Sequence, residues 1–180
     1  MITDSSFWKD ELIERSEFIA KKMAQTRWRA ASSARLEQCV MMGFYSIRKL
    51  IEAEKLSHSL SDCTVDILSW PNRKKPVDLM NWHRIDDLYE LGNPKAMDLT
   101  LRFLANQIIH SFVFTPIFSP VGPPEGIAFS SDKEKEKRLY YLGLETIKSL
   151  FERAGSDYPK ELHYKREAGR LVRVKIESDF

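Results

Sequence analysis

The chain has 180 residues, 43% apolar and 30% charged, and a net charge of only +2. That length and balance predict one globular domain, 1–180, and exclude a disordered chain. The charge gives no overall pull towards nucleic acid, and no run approaches the roughly 20 apolar residues that cross a bilayer.

In chain order, a first helix is expected over about 5–29, opened by Asp4, Ser5 and Ser6 as N-cap candidates. Trp8, Leu12, Ile19 and Met23 recur along it with a helical period. The clearest amphipathic helix follows over about 32–56. Leu36, Cys39, Val40, Gly43, Phe44, Ile47, Leu50 and Ile51 make its inner face. Val65 and Ile67 alternate with Asp66 in a short strand, 64–69, which Pro71 places near a sheet edge. Trp82, Ile85, Leu88 and Tyr89 suggest a helix over 81–91, stopped by Gly92-Asn93-Pro94.

The segment 95–114 is predicted as a long central helix. Met97, Leu101, Leu104, Ala105, Ile108 and Phe112 form its core face, and Asp98, Arg102, Asn106 and His110 form a polar line with i+4 spacing. The flanking Ile108, Ile109, Phe112 and Val113 predict that the Asn106–His110 end of this line is buried. Prolines 116, 120, 123 and 124 argue for a loop over 115–126. A strand over 126–130 is expected to return beside 65–68, and a helix over 131–154 is opened by the Ser131–Glu134 capping pattern. Strands over 161–166 and 170–177 form a hairpin. The fold class that results is α+β but predominantly α: a helical bundle with a long central helix and a small antiparallel sheet.

Seven glycines form neither of the common phosphate-binding loops, and four histidines have no metal-ligand spacing. No cofactor and no metal are therefore expected. Cys39 and Cys63 lack such spacing too, and Cys39, on an apolar helical face, points to a buried thiol in a reducing compartment. With no membrane-spanning run, a cytoplasmic setting without a membrane partner is expected.

Three constellations carry candidate chemistry. His110, with Asn106 and Arg102 at successive turns, supplies a proton-transfer group and a phosphate-binding cation; the alternative is a hydrogen-bonded Asn106–His110 pair that locks the core. Lys21, Lys22, Arg27, Trp28, Arg29, Arg35, Arg48 and Lys49 set seven bases against the single acid Glu37, a pattern suited to RNA phosphates with Trp28 as a stacking ring. The alternative there is a solvated helix surface with Trp28 packed inward. Tyr45 and Arg48, beside the polar side of the second helix, are candidates to line the same cleft as His110.

A helical bundle with an Arg-and-Asn/His line on a late helix resembles the HEPN families, whose metal-independent ribonucleases carry Arg a few residues before His. The resemblance covers the Leu36–Leu56 and Arg102–His110 helices. In this chain seven residues separate Arg102 from His110, and Asn106 holds the closer position. The resemblance implies an RNA-interacting protein, either a metal-independent endoribonuclease using His110, Arg102 and Asn106 or a degenerate RNA-binding member. The competing expectation is a non-catalytic scaffold subunit that docks a partner protein or forms a homodimer.

Overall fold

The computed structural model describes residues 2–120, 122–159 and 161–177. Two long helices open the chain, α1 (Ser6–Met23) and α2 (Ala30–Glu52). Before α1, the Asp4 carboxylate accepts from the backbone and hydroxyl of Ser6, both at 2.8 Å. Trp8 faces Tyr45 with ring centroids 6.3 Å apart, and the Cys39 thiol lies 3.7 Å from the Arg15 carbonyl. The two helices are therefore antiparallel. Leu12, Ile19, Leu36, Val40, Phe44, Ile47 and Leu50 are fully buried between and beneath them.

After a single turn of helix, α3 (His58–Ser61), comes a five-stranded antiparallel sheet. Its strands are β1 (Thr64–Pro71), β2 (Lys95–Thr100), β3 (Ser111–Phe118), β4 (Pro124–Ser131) and β5 (Arg138–Gly143), in the spatial order β2-β1-β5-β4-β3. A short helix, α4 (Ile85–Leu88), interrupts the 72–94 excursion between β1 and β2. Two further helices, α5 (Leu101–Ile109) and α6 (Leu144–Ser156), follow β2 and β5 directly. One face of the sheet, with Val65, Ile67, Leu99, Ile127, Phe129, Tyr140 and Leu142, packs into the core formed by α1, α2, α5 and α6. Val113, Ala128 and Leu139 join a second cluster with Val77, Leu88 and Tyr89 of the excursion. The last strands, β6 (Glu161–Glu167) and β7 (Arg170–Glu177), pair as a separate hairpin.

This architecture corrects the predicted helical bundle. The expected central helix over 95–114 is three elements: strand β2, the nine-residue α5, and strand β3. Thr100 ends the strand and caps the helix, its side chain accepting from the Phe103 backbone at 3.3 Å. The run Ser111–Phe118 is rich in aromatic and β-branched residues and follows its pairing with β4 rather than the helical spacing of its apolar positions. The helix expected over 131–154 divides likewise into a turn, β5 and α6, because Leu139 and Tyr140 serve opposite faces of the sheet. Within 81–91 only Ile85–Leu88 is helical.

Three smaller expectations also change. β1 is interior, paired with β2 on one side and β5 on the other, and Pro71 merely closes it. β4 pairs with β3 and β5, not with β1. Much of the proline-rich 115–126 stretch is strand. Pro116 lies in β3, an edge strand whose outer side needs no donor from it.

Candidate active cleft

The site is set by where α5 stops. His110 is its C-cap, with its backbone N–H on the Asn106 carbonyl at 3.2 Å, and Ser111 then enters β3. The β3–β4 register shifts between Ser111 and Val113, an irregularity one residue past His110. Bulges of this kind re-aim neighbouring side chains and recur beside functional sites. On the partner strand β4 ends at Ser131, and the Asp132 backbone donates to the His110 carbonyl at 3.4 Å. The last turns of α2 bring Arg48 to the same place, where Nη1 donates to Asn106 Oδ1 and Nε to Glu52 Oε1 at 2.8 Å.

The result is an open cleft of about 560 Å³, lined by Arg48, Phe103, Asn106, Gln107, His110, Ser131, Asp132 and Lys133. His110 is exposed there, and among the described residues its imidazole has no hydrogen-bond partner. The buried Asn106–His110 pair weighed from the sequence is thus not formed: Asn106 serves Arg48 instead. Arg48 spends one N–H on each partner, and a guanidinium has five, so three remain for a ligand. Hydrogen bonds from Arg48 and Lys49 hold the Glu52 carboxyl below its usual range, so Arg48 stays paired with an anion behind it. Asp132 is engaged by Lys135 at 2.7 Å, whereas Lys133 is in no ion pair among the described residues.

Two further lining groups are unspent. Gln107 is 7% exposed and Ser131 5%, and neither Gln107 Oε1 nor Ser131 Oγ has a hydrogen-bond partner. Buried polar atoms are nearly always satisfied, so two orphans in residues that border the cleft, one on α5 and one at the end of β4, are unusual. Gln107, Phe103, Asp132 and Lys133 are not singled out in the sequence, and Ser131 enters there only as a helix cap, not as a site residue. Only Gln107 carries a local signal, an amide set among Leu104, Ala105 and Ile108.

The other candidates fall elsewhere. Arg102 is exposed on α5 and does not line the cleft, and Asp98 is on β2, not on the helix. Lys21, Arg27, Arg29 and Arg35 are exposed around the α1–α2 connection and the first turns of α2. Arg48 lies eighteen residues beyond Ala30 in α2, roughly 27 Å along the axis. The basic run is therefore not one surface. Trp28 is half-buried, with its indole N–H on Ser33 Oγ at 2.8 Å and its ring edge-on to Phe118 at 5.4 Å. It is a packing residue. Lys22 bonds Gln25 at 2.6 Å and stands 5.6 Å from the Trp28 ring centroid. Tyr45 stacks towards Trp8 and stays outside the cleft.

Among the described residues, no group of three or more His, Cys, Asp or Glu side chains is placed to hold a metal ion. Among the described residues, no helix is long and apolar enough to cross a membrane. Comparison with known proteins finds no matching family model, no matching curated protein and no matching solved structure.

Proposed function

We propose that this cleft binds the phosphodiester backbone of RNA and that His110 makes it a metal-independent ribonuclease site. The observation that carries the proposal is the exposed, unpartnered imidazole of His110 in an open cleft with Arg48. Histidine is the side chain suited to proton transfer near neutral pH, and a guanidinium held by Asn106 and Glu52 is a fixed cation for a phosphate. In the reaction, neutral His110 takes the proton of a ribose 2′-hydroxyl. The 2′ oxygen attacks phosphorus, the P–O5′ bond breaks, and the departing oxygen takes a proton from water. The products are a 2′,3′-cyclic phosphate and a 5′-hydroxyl, and His110 returns its proton to solvent. Arg48 and Lys133 stabilise the charge that gathers on the non-bridging oxygens. The proposal rests on the cleft and does not require a helical bundle.

The test is cleavage of single-stranded RNA in the presence of a chelator. His110→Gln should lower the rate about 100-fold or more, the scale of a lost general base, with an unchanged melting temperature. Arg48→Lys keeps the charge but loses the fork, and should lower both binding and rate. A wild type that cleaves no RNA, or a His110→Gln variant that cleaves as fast as wild type, refutes the proposal.

A further inference from the structure

We propose that the turn at Asp78–Asn81 attaches this protein to an anionic lipid surface. The 72–94 excursion covers one face of the sheet, anchored by Val77 at 3% exposure and by the fully buried Tyr89. From that base it projects Leu79 and Met80, which are 78% and 83% exposed, among the most exposed large apolar side chains described. Turn centres ordinarily take Gly, Asn, Asp or Pro, so two large apolar residues there need a reason.

The display is rigid. The Asp78 carboxylate accepts from the Met80 and Asn81 backbones at 2.8 and 3.2 Å. Asn81 Oδ1 in turn accepts from the Asp78 backbone at 2.9 Å, and its amide donates to the Pro76 carbonyl at 3.0 Å. Exposed Arg73, Lys74 and Lys75 precede the turn, three bases against the one carboxylate of Asp78, and Arg73 Nε also donates to the Tyr89 carbonyl at 3.1 Å. Farther along, Arg84 is paired with Asp87 at 2.6 Å, and the exposed carboxylate of Asp86 stands beside that pair in sequence, beyond the turn. The turn therefore has an apolar tip and a cationic shoulder.

Each part argues against a different alternative occupant. A nucleic acid would take the three bases but offers nothing to Leu79 and Met80. Of the segment's two aromatics, Tyr89 is fully buried and Trp82 is half-buried against the same core cluster, so neither presents a free face for stacking. A protein partner would have to close over a convex tip whose two apolar side chains supply on the order of 200 Å², against the roughly 800 Å² per partner of a stable interface. A lipid surface needs no matching groove. It takes the tip into the acyl boundary while its anionic headgroups meet the bases.

The test is flotation of the full chain with vesicles of phosphatidylcholine alone and of phosphatidylcholine with phosphatidylserine, alongside binding to single-stranded RNA. Wild type should float with the anionic vesicles only, and less as salt rises. Leu79→Ser with Met80→Ser should cut binding about tenfold or more, and Lys74→Gln with Lys75→Gln by a similar factor. Neither pair should alter the melting temperature, because all four side chains are exposed. Three results overturn the proposal. The wild type fails to float with anionic vesicles, the Leu79/Met80 variant floats as well as wild type, or the two variants lose RNA binding while vesicle binding is absent. His110→Gln should float normally, so failure of the cleft proposal and of this one are distinguishable.

Discussion

Replacing Gly43 by alanine tests the central helix crossing, because two effects of opposite sign compete there. Gly43 is buried on α2, where alanine would ordinarily stabilise by about 1 kcal/mol through helix propensity alone. A Cβ at this position, however, would stand closer than 3.0 Å to three ring carbons of Phe151 on α6. Carbon atoms rest at about 3.5–4.0 Å, so the ring would have to retreat by roughly an ångström. Phe151 is fully buried and meets Phe44 edge-on at 5.4 Å, so its ring moves only by displacing packed neighbours. Overpacking of this kind costs about 1–3 kcal/mol, and three simultaneous overlaps on a locked ring put it at the upper end. The expected net loss is about 1–2 kcal/mol, or about 2–8 °C in melting temperature for a chain of this size. Urea unfolding measures it. Phe151→Leu in the same chain should relieve the overlap, so the double variant should lose less than the two single losses added together. A Gly43→Ala protein more stable than wild type would mean that Phe151 does not sit over Gly43, and the α2–α6 packing described above would be wrong.

Other consequences are measurable in the same way. Leu104→Ala or Ile108→Ala, each fully buried on α5, should cost about 2–5 kcal/mol in urea unfolding. Asp157 is 5% exposed and accepts from both the backbone and the hydroxyl of Ser57, at 2.7 and 2.9 Å. Asp157→Ala leaves the buried Ser57 N–H unmet, while the Ser57 hydroxyl still has Ser59 Oγ at 2.9 Å, and should cost about 1–3 kcal/mol by the same measurement. Burial pushes the Cys39 thiol from 9.0 up to about 11. Above pH 9 the unfolded thiol ionises while the folded one keeps its proton, so the unfolded state binds fewer protons and stability falls until about pH 11. That contribution is about 2–3 kcal/mol, and Cys39→Ala should flatten the fall when unfolding is compared across this range.

The parts of the fold legible in the sequence are those with one buried face. α2 shows its inner residues at helical spacing, and β1 shows Val65 and Ile67 alternating with exposed Asp66 and Leu68. β5 has no such contrast. Leu139 joins one core, Tyr140 and Leu142 the other, so apolar residues crowd together and mimic a helix entering α6. The same ambiguity joins β2, α5 and β3 in one apparent helix, since Met97, Leu101, Leu104 and Ile108 keep helical spacing across a strand boundary. What separates them is pairing with β1 and β4, contacts with residues far along the chain that leave no mark on local spacing.

The cleft follows from that same boundary. Had 95–114 been one helix, His110 would have lain among Ile108, Ile109 and Phe112 with Asn106 a turn away, and a locked polar pair would have been its natural fate. Because the helix ends at Ile109 and the chain turns into an edge strand, the imidazole is carried out past the last turn, while Asn106 stays behind to hold Arg48. The partner that makes the site cationic, Arg48, lies fifty-eight residues upstream of Asn106. The sequence offers it, with Tyr45, as a candidate for the His110 cleft, but only the packing of α2 against α5 brings it there. Histidine and arginine were each visible as residue types. Their meeting depends on α2 packing against α5, so it belongs to the tertiary structure, and so do the unsatisfied atoms of Gln107 and Ser131, residues that border the cleft.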